Sequence, residues 1–273
     1  MTCGENNRIR AFSILFQTLL GAQLGTTKQL SEAAARFDFT IAAELHTLCR
    51  QQSLDSIASE RVVVEFEKAW FKSLQPSVAI QHLVDLQVIE KYFGSWPGLD
   101  SPLILSALNR GRNYLKDDPG WDMGLFWAIA LSQASTEEAT AILDRLQIHS
   151  FHRFNIRCAV LATLQPSLLL SQEDSISIRN HAAEDCSLDF LTTVSHSLYP
   201  DGFASINRQK AEKETILYSP LPRLLQGRDL VTKGLQGKQI GNCLSFVRSL
   251  ELSNIITTKS EALSAAQRWI NQQ

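Results

Sequence analysis

Strand signals, paired cysteines and long apolar runs are all missing from this 273-residue chain. Thirteen Gly and eight Pro leave long unpunctuated stretches, so helices can run. No segment alternates apolar and polar residues over six or more positions, and no Asn-Gly or Asp-Gly pair joins two such segments as a hairpin turn; Asp201–Gly202 follows Pro200 in a loop signal. The five cysteines, Cys3, Cys49, Cys158, Cys186 and Cys243, are odd in number and form no CxxC pair. That excludes a disulfide framework or a zinc knuckle and fits reduced thiols in a cytoplasmic protein. The densest apolar run, Gly124 to Leu131, is far short of the roughly 20 residues a membrane span needs, so no membrane partner is expected. A formal charge of −2, from 26 basic and 28 acidic side chains, excludes a bulk polycation; any nucleic-acid site must come from local clustering. Arg8 and Arg10 before Ala11–Leu20 imitate the outline of a signal peptide. Ile9, Phe12, Phe16 and Leu19 nevertheless share one helical face, and Gln17 interrupts the run, which predicts an amphipathic helix.

What is present is helical periodicity. Val63, Phe66, Trp70 and Leu74 make one apolar stripe, with Ser59 as the expected N-cap and Glu60 in the first turn. Pro76 stands where a first-turn proline belongs, and the apolar positions to Phe93 predict a helix stopped by Gly94 and Pro97. Ser135-x-x-Glu138 and Thr258-x-x-Glu261 have capping-box spacing, and Thr26-x-x-Gln29 is a weaker version of it. The stretches 117–120, 199–202 and 219–222 read as loops. The expected fold is all-α, with no substantial sheet.

Recognisable active-site patterns are absent. His149 and His152 lie three apart with Cys158 beyond, but no carboxylate completes a metal set in that segment, and no metal is expected. There is no GxSxG and no phosphate loop ending Gly-Lys-Ser/Thr. Glu173–Asp174 and Glu184–Asp185 are adjacent pairs that diverge on a helix. Basic residues, in contrast, cluster. Ser205 to Leu250 holds Arg208, Lys210, Lys213, Arg223, Arg228, Lys233, Lys238 and Arg248 against three acids, Glu212, Glu214 and Asp229. Leu146 to Val160 holds His149, His152, Arg153 and Arg157 with Phe151 and Phe154 and no acid; Arg110, Arg112 and Lys116 surround Tyr114. Such mixtures suit phosphate contact and base stacking.

Three stretches carry a resemblance. Ile57–Ala–Ser–Glu60–Arg61–Val62 with Glu65, then Pro76 and the run to Ile89, resembles the neck of bacterial-type CCA-adding tRNA nucleotidyltransferases and their poly(A) polymerase relatives. Ile9–Arg10–Ala11 and Leu20–Gly21 are similar to a segment just upstream of that neck. Gln226–Gly227–Arg228–Asp229–Leu230, Gly234, Gly237, Ile240–Gly241 and Leu244, followed by Ile256 to Leu263, resemble the family's tail. The resemblance implies an elongated neck at 1–97, a body at 98–200 and a tail at 201–273, which together hold tRNA. Glu60, Arg61, Gly227, Asp229, Gly234 and Gly241 would be structural motif positions. Arg110, Arg112, Arg153, Arg157, Lys210, Lys213, Arg223, Arg228, Lys233 and Lys238 would contact RNA. The family's catalytic head carries Gly-Gly and Asp-x-Asp motifs, and this sequence has neither. Paired carboxylates are what hold Mg²⁺ for in-line attack. No catalytic residue and no cofactor are therefore expected in this chain; Mg²⁺ and CTP or ATP would enter only with a separately encoded head. The expected role is a tRNA-binding fragment, subunit or head-less homologue, inactive alone. The alternative is a helical protein-interaction scaffold that has lost RNA binding.

Overall fold

The structure is a computed structural model that describes residues 59–73, 75–85, 87–165 and 175–272. The expected N-terminal helix (Ile9 to Leu19), Leu20–Gly21, the Thr26 start signal, Ile57, Leu74 and Glu173–Asp174 lie outside the described residues. The protein is all-α: thirteen α-helices are described, and among the described residues the one extended pairing is an isolated bridge between Phe151 and Phe154. The chain divides into two compact units, Met1–Leu164 and Gln165–Gln273. Both expected boundaries, 97 and 200, fall in turns between helices, and the division itself falls at Leu164/Gln165.

In the first unit, α1 spans Ser59–Lys72, α2 Pro76–Asp85, α3 Val88–Phe93, α4 Pro102–Gly111, α5 Pro119–Ala130, α6 Thr136–Arg145 and α7 Ile156–Thr163. Ser59 is the first residue of α1 itself, and its buried stripe is Val62, Phe66 and Ala69–Trp70. Pro76 opens α2 as the sequence predicts, but Gln87 adopts φ 57° and splits the expected single helix into α2 and α3. Gly94, at φ 76°, then closes α3 by donating to Glu90 O at 2.8 Å.

Helix α5 explains the apolar run of the sequence. Every residue from Gly120 to Leu131 is buried, which is what a helix apolar on all sides requires. Helices α1, α4 and α7 pack around it. The sequence predicts a loop over 117–120, but Asp118 caps the helix there, accepting from Gly120 N at 3.0 Å and Trp121 N at 3.2 Å, with Pro119 in the first turn. Phe66 meets Trp96, Phe126 and Trp127 at ring-centroid distances of 5.6, 5.7 and 5.4 Å. Two indole N–H groups also bond α5: Trp70 donates to Asp122 O and Trp96 to the otherwise orphaned Ala130 O, both at 2.9 Å.

In the second unit, α8 spans Ile176–Asp185, α9 Leu188–Leu198, α10 Ala204–Lys213, α11 Gly227–Val231, α12 Lys238–Leu252 and α13 Lys259–Ile270. Helices α9 and α10 form a hairpin through the expected 199–202 turn. Leu225, Leu230, Leu235, Cys243, Val247, Ile256, Ala262 and Ala266 make the core under α11–α13. Both expected capping boxes form. Ser135 and Glu138 exchange bonds of 3.2 and 2.8 Å, and Thr258 and Glu261 bonds of 3.3 and 3.0 Å. Backbone donation from Thr257 and Thr258 holds the Glu261 carboxyl below its ordinary range.

Four helices end in one way. Gln147, Thr215, Gly234 and Asn254 take positive φ, and the next residue (Ile148, Ile216, Leu235 or Ile255) donates back to the carbonyl five positions earlier. This is the Schellman closure, and only one of the four uses glycine.

Candidate nucleic-acid interface

The family-like segment of the second unit is built on three apolar anchors. Leu230 and Leu235 are buried and Ile240 packs against the same core, and between them the chain is turned out to solvent. Arg228, Lys233 and Lys238 are all exposed on this stretch. Gly234 has φ 87° and Gly237 φ 53°, conformations that favour glycine. A Cβ at Gly234, Gly237 or Gly241 would meet nothing within 4 Å, so open space borders each of them. Gly237 is the N-cap of α12, without a side-chain cap, and no acid stands in that helix's first turn. Gln239 and Ile240 donate back to Gln236 O and Gly237 O at 3.1 and 3.2 Å, so what the start of α12 offers a phosphate is its positive dipole end, bordered by open space at Gly237 and Gly241, with Lys238 in its first turn and Lys233 in the loop before it.

Asp229 does not offset this charge from the open side. Its carboxylate accepts from Lys259 Nζ at 2.9 Å and from Gln226 N at 2.8 Å, and chiefly the Lys259 contact keeps its pKa below the ordinary value. Gly227 has Ile240 Cγ2 at 3.5 Å from a would-be Cβ, ordinary contact distance. Glu60 is exposed in the first turn of α1, with Arg61 next in the same helix.

The remaining basic residues divide by environment. Arg223 is exposed, 3.6 Å from Glu184; Lys213 is exposed in the last turn of α10, and Lys210 is half-buried. Arg153 is exposed, and Arg157 is paired with Asp144. Arg112 donates to Trp70 O, so it holds the end of α1, and Arg110 is half-buried in the last turn of α4. Lys116 lies 4.3 Å from the centre of the Trp121 ring. Arg208 and Arg248, counted from sequence in the basic tail, are internal ties: Arg208 pairs with buried Asp189 at 2.5 Å. Arg248, itself buried, bonds Glu184 of α8, Glu251 at 2.6 Å and Leu221 O at 2.7 Å. The contact that sequence reasoning missed is Lys259–Asp229; the partners are thirty positions apart, with no local signal linking them.

His149 and His152 occupy a turn region rather than a helix face, and both are exposed. Among the described residues, no three or more His, Cys, Asp and Glu side chains are grouped as a metal ion would need. Among the same residues no helix is long and apolar enough to cross a membrane. Fold and surface thus define an all-α protein with a locally basic, glycine-lined loop. No protein-family model matches the chain, and neither curated proteins nor solved structures yield a similar protein.

Proposed function

We infer that this chain is the tRNA-binding helical portion of a protein of the CCA-adding nucleotidyltransferase family. It acts as a fragment, subunit or head-less homologue in tRNA 3′-end processing. The observation that carries the reading is the α11–α12 loop, where Lys233 and Lys238 flank an open, acid-free helix start. The tail-like residues Gly227, Asp229, Gly234 and Gly241 sit in that same segment. Contacts are to phosphates and 2′-hydroxyls, since A-form RNA hides its major-groove edges. Transfer chemistry, with Mg²⁺ and CTP or ATP, belongs to a head domain that these residues do not supply; the chain alone extends no tRNA when incubated with labelled CTP.

Filter binding tests the reading. Four phosphate contacts give a slope of log affinity against log salt near −3, on the order of a sixtyfold weakening from 50 to 200 mM. Neutralising the exposed Arg223, Arg228, Lys233 and Lys238 together flattens that slope without unfolding the chain. A parent chain that prefers tRNA no more than an unstructured RNA, or a quadruple variant that binds as well as the parent, refutes it. One observation favours the scaffold reading instead: Tyr199, Phe203 and Ile206 are 41, 40 and 43% exposed around the α9–α10 turn. That reading takes over if tRNA preference is absent and Ile206→Asp abolishes capture of a protein partner.

A further inference from the structure

Positive φ at helix ends recurs in this chain, but among the described residues two adjacent non-glycine residues share it at one place, His152 (45°) and Arg153 (69°). Phe151 and Phe154 close the turn with reciprocal backbone hydrogen bonds of 2.9 Å. Two-residue hairpin turns with both central residues left-handed belong to Asn-Gly and Asp-Gly, because side chains beyond Cβ are crowded there. Here a histidine and an arginine occupy both positions.

The base of the turn is locked. A Cβ on Gly120 would stand 2.8 Å from Phe154 Cβ and closer still to the Phe151 carbonyl oxygen. One on Gly124 would stand 2.9 Å from Phe154 Cδ1 and overlap Cε1. The two glycines, a turn apart on α5, thus form a seat for the Phe154 ring. Above this seat His149, Ser150, His152 and Arg153 are exposed, and no acid occurs between Leu146 and Val160. Outside this stretch Asp144 is paired with Arg157, and Asp118 accepts from Gly120 and Trp121 at the start of α5. Asp117 is exposed before the start of α5.

We propose that this turn is a preset phosphate-binding finger: Arg153 and His152 donate to non-bridging oxygens of an RNA backbone, with His149 beside them. It rests on the reading that the chain binds RNA, and gives the first unit a contact of its own. A guanidinium presents a planar donor fork that matches two phosphate oxygens. A turn held rigid from below loses little freedom on binding, so its strain is matched by preorganisation.

The test uses the full chain with His152→Asn and Arg153→Gly together, a sequence the backbone prefers. Its Tm is expected to rise by about 2 to 4 °C. Its affinity for transcribed tRNA falls about fivefold to tenfold at fixed salt. Its salt slope becomes shallower by roughly 0.7 to 0.9, one phosphate contact. Arg153→Lys, which keeps the charge and loses the fork, keeps the slope and loses part of the affinity. A folded double variant with the parent's affinity and slope overturns the finger and leaves the tail reading standing. A double variant less stable than the parent also overturns it, because the turn is then not strained. The reverse failure is separable too: if the tail quadruple variant binds as the parent does while the turn variant does not, the tail reading falls and the finger stands. A parent that binds no RNA overturns both.

Discussion

Gly124→Ala opposes two well-separated effects in one helix. Propensity alone favours alanine over glycine in a helix interior by about 0.8 to 1.0 kcal/mol. Packing opposes it: the new methyl would stand 2.9 Å from Phe154 Cδ1 and overlap Cε1, where real Cβ contacts essentially never fall below 3.0 Å. Overpacking of this kind costs about 1 to 3 kcal/mol. Phe154 is half-buried, so its ring has a way out toward solvent; taking the propensity gain from the packing cost leaves about 0 to 2 kcal/mol, centred on a net loss near 1. At Gly120 the obstacle is the Phe151 carbonyl as well as Phe154 Cβ at 2.8 Å. Backbone cannot swing aside, so Gly120→Ala should sit at the upper end, about 3 kcal/mol. Urea unfolding followed by tryptophan fluorescence suits the question, because Trp70, Trp96, Trp121 and Trp127 of the five tryptophans lie in the first unit. The midpoint of Gly124→Ala should fall by roughly 0.5 to 1 M. Adding Phe154→Ala to Gly124→Ala should cost less than the sum of the two, with a coupling of about 1 kcal/mol. A Gly124→Ala variant more stable than the parent would mean that propensity alone governs the site and would refute the seat.

Four further outcomes are expected. Burial raises the Asp122 pKa above its ordinary 3.8, so the folded chain holds this proton more tightly than the unfolded one; the ionised group opposes folding above the folded pKa, and that opposition vanishes below 3.8. Asp122→Asn keeps an acceptor for Lys116 N–H, so it should be more stable than the parent at pH 7, an advantage that calorimetry should see shrink on acidification. Arg248→Met leaves the Glu184 and Glu251 carboxylates without their shared cation and should cost about 3 to 5 kcal/mol; thermal unfolding showing under 1 kcal/mol would contradict the network. Thr215→Gly should stabilise by about 1 kcal/mol, since a β-branched residue sits at φ 60°, and a loss in urea midpoint would count against the helix end described. Iodoacetamide followed by mass mapping should label exposed Cys158 in the native chain and Cys243 only after unfolding, because Cys243 is fully buried and burial pushes its thiol pKa up.

Features that depend on a few consecutive residues were legible beforehand. The capping boxes at Ser135 and Thr258, the first-turn Pro76, the stop at Gly94 and the all-α character all follow from groups that meet within one helical turn. The basic, glycine-lined stretch from Arg228 to Gly241 was legible too, because its charges and its permissive φ positions are carried by the same short segment. Other features depend on partners far along the chain. Arg248 belongs to the basic cluster in sequence but bonds Glu184, 64 positions away, and Arg112, an expected RNA contact, donates to the Trp70 carbonyl. Gly120 read as part of a loop and Gly124 as part of an apolar run, yet both are small because Phe154 lies against them. Gln87, Gln147 and Thr215 carry no glycine signal, and their left-handed turns exist because the neighbouring Val88, Ile148 and Ile216 are drawn into a core that packing alone defines. Local hydrogen bonding thus placed a few helix starts in the sequence itself, at Pro76, Ser135 and Thr258, whereas the other starts, the side of each helix that is buried, and which charges remain free for a ligand were decided only when the helices packed.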